Sequence, residues 1–393
     1  MTLLERAREL KPELVAIRRD LHRHPELSFQ EVRTGDRATE VLERLGLPVR
    51  RGVGRTGLVA EVENGSGPTV ALRADMDALP IQEDSEAPYA STVPGVMHAC
   101  GHDAHVAGLL GAARLLVEQR EAGRLPPGRV RLLFQPSEEG MDLEGKSGAM
   151  RMVEEGAMEG VEAVVGLHVG GHLPAGTLHF REGPFMAGSD ELLVDVLGRS
   201  SHGARPQDGV DAILLASAGV MAAHTVVSRQ LSPLDQGVLS LGRIQGGVAA
   251  NVLADRVHLH GTLRYFRDPI QKILHHKIRG AFQGVRAMGG EVEVTIRPGY
   301  PPVVNDPGVT GLVREVAEGI AGGRSLREGG LMMEAEDFAF LARVAPGTFF
   351  WLGAAPAEPR NHHHPRFDID ESVLPLGSAV LAGAAMRLLE RHR

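Results

Sequence analysis

Glu191-Leu-Leu-Val-Asp-Val-Leu197 opens the stretch that decides the fold, and Glu291-Val-Glu-Val-Thr-Ile296 closes it. Both read as strands. Between them the sequence predicts a helix over Val210–Arg229, strands over Gly237–Ile244 and Val252–Arg264, and a helix over Pro269–Met288. That β-α-β-β-α-β order is the ferredoxin-like pattern. A unit of about a hundred residues in this order can fold alone. It therefore reads as an insertion, residues 184–296, into a larger discontinuous domain of residues 1–183 and 297–393.

The flanking halves support this division. Helices are expected over residues 2–23, Thr34–Leu45 (closed by Gly46) and Ala104–Gln119, with strands over Leu58–Val62, Thr69–Arg73, Val130–Phe134 and Glu162–His168. After Pro298-Gly-Tyr-Pro-Pro302 come a helix over Val309–Ile320, a strand over Phe349–Leu352 and a helix over Leu374–His392. Strand runs separated by helices point to an α/β domain with a mainly parallel sheet. Functional side chains then belong at the C-terminal ends of its strands.

Composition narrows the function classes. The chain has 393 residues, 43% of them hydrophobic and 23% charged, which suits a folded protein of two or three domains. A net charge of −8 argues against nucleic acid or anionic membranes as partners. Cys100 is the sole cysteine, so an intrachain disulfide is impossible. The N-terminus mixes charged and apolar residues like an amphipathic helix and lacks the apolar core of a signal peptide. No stretch is expected to supply the ~20 apolar residues of a membrane span. A cytoplasmic location is expected.

Five segments at or after strand ends carry metal-capable side chains: Asp75-Met-Asp77, Cys100-Gly-His102, Glu138-Glu139, His168 and His362-His-His364. Imidazole and carboxylate suit zinc, manganese, cobalt or nickel, and a thiolate favours softer ions. Each has a plainer reading. A lone cysteine usually packs as a small hydrophobe, adjacent acids usually face solvent, and a triple histidine is usually a surface cluster. A structural zinc site closed by four ligands is a further alternative, but it rarely sets two free acids alongside.

The segments Leu72-Arg-Ala-Asp-Met-Asp-Ala-Leu-Pro-Ile81, Met97-His-Ala-Cys-Gly-His-Asp-Ala-His105, Phe134-Gln-Pro-Ser-Glu-Glu-Gly140, Gly166-Leu-His-Val169, Ser201-His-Gly-Ala-Arg-Pro206 and His363-His-Pro-Arg-Phe-Asp368 together change the weighing. In this order they resemble the amidohydrolase branch of the aminoacylase/carboxypeptidase metallopeptidase clan, which includes hippurate hydrolases and indole-acetyl-amino-acid hydrolases. The resemblance runs from about residue 10 to the end. It implies a catalytic α/β domain holding two divalent metal ions, with an inserted lid that also forms a homodimer or a dimer of dimers.

Carried over residue by residue, the resemblance makes Cys100, His102, Glu139, His168 and His363 the metal ligands, with the Cys100 thiolate bridging both ions. Glu138 becomes the general base. Asp77, and with it Asp75 or Asp103, would orient ligand imidazoles. His202 becomes a donor to the carbonyl oxygen, reaching into the partner subunit's site, and Asn251 and Arg264 become contacts for a substrate carboxylate. Glu336 and Asp337 are read as site-lining or structural. Family members usually carry one histidine two residues before the proline of the last motif. Here three precede Pro365; spacing selects His363, with His362 and His364 open as further ligands. The implied reaction is hydrolysis of an N-acyl amino acid to a carboxylate and a free amino acid. A dipeptidase or carboxypeptidase on the same site, and a non-catalytic metal-binding protein, are the competing readings.

Overall fold

The computed structural model of the chain describes residues 1–391, so the end of the last expected helix, His392, lies outside the described residues. Two compact units emerge. One comprises Met1–Gly183, Val304–Gly330 and Asp337–Arg393, and the other comprises Pro184–Val303 and Leu331–Glu336.

The larger unit is built on an eight-stranded mixed sheet in the order Val49–Val53, Gly57–Asn64, Gly128–Gln135, Thr69–Asp75, Val161–Gly170, Gly347–Gly353, Leu178–Phe180, Leu326–Glu328. The four strands from Gly128–Gln135 to Gly347–Gly353 run parallel. Thr69–Asp75 and Gly347–Gly353 are buried at every position, as strands covered on both faces must be. The helix His102–Glu121 is rich in alanine and glycine, which lets it lie close to its neighbours. At Gly111 a Cβ would sit 2.3 Å from Ser378 Oγ on the C-terminal helix Leu374–Arg391. That approach tolerates only glycine.

Element boundaries moved where local chemistry was stronger than periodicity. The single helix expected over 2–23 is two, Leu3–Glu9 and Lys11–Arg23. Pro12 lacks an N–H and crowds the carbonyl four residues back, so it starts a helix better than it continues one. The edge strand Val49–Val53 and the helix Gly148–Glu154 were not expected; both are short, and the strand contains Arg50, Arg51 and Gly52.

The smaller unit carries a four-stranded antiparallel sheet in the order Glu291–Pro298, Gly188–Leu197, Arg256–Tyr265, Gly237–Gly246. This is the ferredoxin-like strand order. Burial alternates along Gly188–Leu197, so Leu192, Val194 and Val196 face a core shared with Leu215, Leu274, Ile278 and Phe282 from the helices Ala212–Thr225 and Asp268–Phe282. Leu331–Glu336 joins this unit through backbone bonds, Ala187 N–H donating to Met332 O at 2.9 Å and Met332 N–H to Phe185 O at 3.0 Å.

The expectation that no segment could span a membrane needs amendment: Ala212–Gln230 and Glu371–Glu390 are both long and apolar enough. Glu371–Glu390 is mostly buried as a core helix of the larger unit, whereas only a third of Ala212–Gln230 is buried within the structure.

Candidate metal centre

The parallel strands end together, and their C-terminal ends supply the site. Thr69–Asp75 leads into Asp77, Gly128–Gln135 into Glu138 and Glu139, and Val161–Gly170 carries His168. Cys100 and His102 flank Gly101, the residue before the helix His102–Glu121. Gly101 has φ +90°, and a Cβ there would meet Val169 Cγ2 at 2.5 Å. Only glycine makes this turn, and the turn brings both ligand candidates to the strand ends.

A carboxylate braces the acid pair. Asp77 Oδ1 accepts from the N–H of Glu138 and Oδ2 from that of Glu139, both at 3.0 Å, while Ser28 Oγ donates to Oδ2 at 2.6 Å. The preceding Ser137 has φ +46°, a strained value for a residue with a side chain. Its N–H donates to Glu31 Oε1 at 2.8 Å, and burial lifts the Glu31 carboxyl to about 7.

The donor atoms converge. Those of Cys100, His102 and His168 lie within 4.8 Å of one another, and so do those of Cys100, Glu139 and His363, and of His102, Glu138 and Glu139. Cys100 Sγ is 3.4 Å from His168 Nε2, and His363 Nε2 is 3.0 Å from Glu139 Oε1. Two groups thus share the one sulfur. The three histidines of the loop separate: His363 joins Cys100 and Glu139, His362 Nε2 donates to Val169 O at 2.9 Å, and His364 Nδ1 accepts from the Arg366 N–H at 3.0 Å.

The chemistry of this donor set fits divalent cations. His102 Nδ1 donates to Asp77 O at 2.8 Å, which leaves Nε2 buried without a hydrogen bond among thiol and carboxylates. Burial pushes the Cys100 thiol up, and Glu139, Glu138 and Asp75 push it further. Burial disfavours charge on His102, but Asp75 and Asp77 overcome it and hold the imidazole at about 10. His168 is driven well down by burial, with His105 nearby. A site that raises a thiol and an imidazole together is short of positive charge, which a divalent cation held by these residues would supply.

The supporting residues fall differently from expectation. Asp77 contacts His102 as expected, with Oδ1 3.3 Å from Nδ1. Asp75 instead accepts from His105 Nδ1 at 2.5 Å and from Arg73 Nη1 at 2.6 Å. Asp103 orients no ligand: it accepts from Arg18 Nε at 2.8 Å and from His22 Nδ1 at 2.7 Å. Asp337 is buried beneath the sheet ends, accepting from Arg73 Nη2 at 2.9 Å and Gln135 Nε2 at 2.7 Å. Glu336 lies in the smaller unit.

His202, Asn251 and Arg264 also lie in the smaller unit. His202 and Asn251 are exposed neighbours, Gly203 N–H donating to Asn251 O at 2.7 Å and Ala204 N–H to His202 Nδ1 at 3.0 Å. Arg264 Nε donates to Met333 O at 3.2 Å, and burial lowers its pKa. Sequence reasoning missed Trp351, whose ring stacks on His168 with centroids 4.5 Å apart. His105, at the end of the segment Met97–His105, lies three residues after His102 on the same helix, and the two rings stack with centroids 5.4 Å apart.

Comparison with known proteins agrees with this geometry. Residues 71–387 match the family described as peptidase family M20/M25/M40. The chain is 41% identical over 379 residues to the protein YhaA of Bacillus subtilis, covering 95% of this chain and 94% of that one. It is 38% identical to the N-acetyl-L-cysteine deacetylase of the same organism, covering 98% and 90%. Among solved structures, the Bacillus subtilis YXEP protein, described as a dinuclear metal binding peptidase from the M20 family, superposes with a TM-score of 0.84 at 34% identity, covering 97% of this chain and 99% of that one.

Proposed function

The chain belongs to the M20/M25/M40 peptidase family and is a hydrolase of that family, and on this footing we propose that it cleaves the amide bond of N-acyl amino acids, releasing a carboxylic acid and a free amino acid. The observation that carries the reading is the sharing of Cys100 by two donor groups, beside an acid pair braced by one aspartate. Cys100, His102, Glu139, His168 and His363 would hold two ions, of zinc, manganese, cobalt or nickel. When bound, the pair supplies Lewis-acid polarisation of the scissile carbonyl and activation of water.

The protein's own residues do the rest. Glu138 is nearly buried with Oε2 3.9 Å from His102 Nε2, and stands outside both groups that contain the sulfur. Of two adjacent acids, Glu139 neutralises cation charge while Glu138 stays free to move a proton. Glu138 takes a proton from the attacking water and returns it to the leaving amine. Asp77 keeps both acids in register and His102 in its Nδ1–H tautomer. His202 is the proposed donor to the developing oxyanion, supplied by a second copy of the chain. Arg264 and Asn251 are the proposed grips on the substrate carboxylate, where a guanidinium can bind in a bidentate fork.

Dimerisation through the smaller unit is part of the proposal. Ile213, Leu214 and Met221 on the helix Ala212–Thr225 are exposed, Met221 at 72%, and the adjacent edge strand Gly237–Gly246 has a free side with Ile244 exposed. Apolar side chains beside an unpaired edge are what a second copy would cover. A cytoplasmic location completes it, since a reducing compartment preserves the thiolate the site needs. Elemental analysis followed by a panel of acetyl, benzoyl and indole-acetyl amino acids against dipeptides tests the reading. Turnover of the acyl amino acids is expected; stoichiometric metal with cleavage of dipeptides alone would replace it.

A further inference from the structure

Val169 stands where the sheet has run short of a partner. The strand Val161–Gly170 pairs with Thr69–Asp75 only as far as Arg73 opposite Gly166. On its other side, pairing with Gly347–Gly353 continues to Gly170. Past Gly166 the open side is closed by imidazoles instead of a strand. Val169 N–H donates to His105 Nε2 at 2.9 Å. Val169 O accepts from His168 Nδ1 at 2.8 Å and from His362 Nε2 at 2.9 Å.

These bonds fix three tautomers, because a backbone N–H can only donate and a carbonyl can only accept. His105 must present a bare Nε2 to Val169, so its proton sits on Nδ1, facing Asp75 Oδ1 at 2.5 Å. His168 must carry its proton on Nδ1, which leaves Nε2 bare toward Cys100 Sγ. His362 must carry its proton on Nε2.

We infer that His105 and His362 are positioning residues that act through the backbone of Val169. His105 and Asp75 hold the strand end that carries His168. His362 ties to that same carbonyl the loop that brings His363 to Cys100 and Glu139. One backbone position thereby sets the spacing of two ligands that come from segments almost two hundred residues apart. The third histidine of the cluster has no part in this, and the second and first divide ligation from support. The inference rests on the metal-site reading above.

The test uses the full chain stripped of metal and titrated with zinc against a competing chelator, with bound metal counted directly. Emission from Trp351, the one tryptophan, is followed in parallel, since its ring stacks on His168. His362→Leu removes the donor to Val169 O, and His362→Gln restores a donor near the same place. Wild type is expected to bind zinc with a change in emission. His362→Leu should bind at least one ion roughly 10- to 100-fold more weakly, His362→Gln should recover most of that, and both metal-free variants should melt with wild type. His105→Leu, acting on the N–H side, should weaken binding likewise and carries the test if His362→Leu does not fold. Wild-type affinity in His362→Leu and His105→Leu, or equal weakening in His362→Gln and His362→Leu, overturns the inference. A wild type that takes up no zinc overturns the metal-site reading instead.

Discussion

Two buried clusters flank the start of the helix His102–Glu121, and they solve the same electrostatic problem differently. In one, Asp103 meets Arg18, whose guanidinium also reaches Asp368 Oδ1 at 2.8 Å and Glu371 Oε1 at 3.3 Å. There the protein supplies its own cation, and Arg18 holds the Asp103 carboxyl far below the ordinary range although burial opposes it. In the other, Cys100, Glu138 and Glu139 gather around a His102 nitrogen without a hydrogen bond. Buried charge is costly unless paired. The first cluster is closed and structural; the second is built to be completed from outside.

The largest expected break in this contrast is catalytic. Glu138→Gln keeps the shape of the acid but cannot move the proton, so kcat should fall about 10²- to 10⁴-fold while metal content stays at the wild-type level. Steady-state kinetics paired with elemental analysis checks this; near-normal turnover would remove Glu138 from its role. Next comes stability. Arg18→Met leaves Asp103, Asp368 and Glu371 without their buried counter-ion and should cost about 3–5 kcal/mol in a urea titration of the metal-free protein. A loss well under 1 kcal/mol would deny the closed cluster its structural part.

A third expectation concerns protons. In the metal-free protein His102, held at about 10, and Cys100, held above the ordinary thiol range, both carry protons at pH 7.5. Ligation requires them bare, so metal binding should release about two protons and apparent affinity should rise with pH. Calorimetry in buffers of different ionisation enthalpy counts them; no release would contradict the charge deficit. The smallest effect belongs to the other unit. Arg264→Lys replaces a fork with a point charge and should raise KM about tenfold with little change in kcat.

How much of this was legible depends on what the sequence writes down. The strand and helix order of residues 188–298 was legible because its elements are long and separated by clear turns. Val49–Val53 was not, because an exposed arginine-rich edge lacks the apolar signal of a strand. The segments that supply the donors were legible from residue type and strand-end placement. The part played by Asp103 was misread because it follows His102 directly. On a helix successive side chains diverge by about 100°, so the neighbour of a ligand faces elsewhere. The Val169 anchor was invisible for a deeper reason: its working groups are backbone atoms, which every residue has.

The contrast between the two clusters comes down to whether Cys100 joins two ions. Counting metal per chain in the wild type and in Cys100→Ala, each reconstituted from the stripped protein, addresses that directly. Two ions per wild-type chain and the loss of both in Cys100→Ala are predicted. Two ions retained without the sulfur would contradict the account.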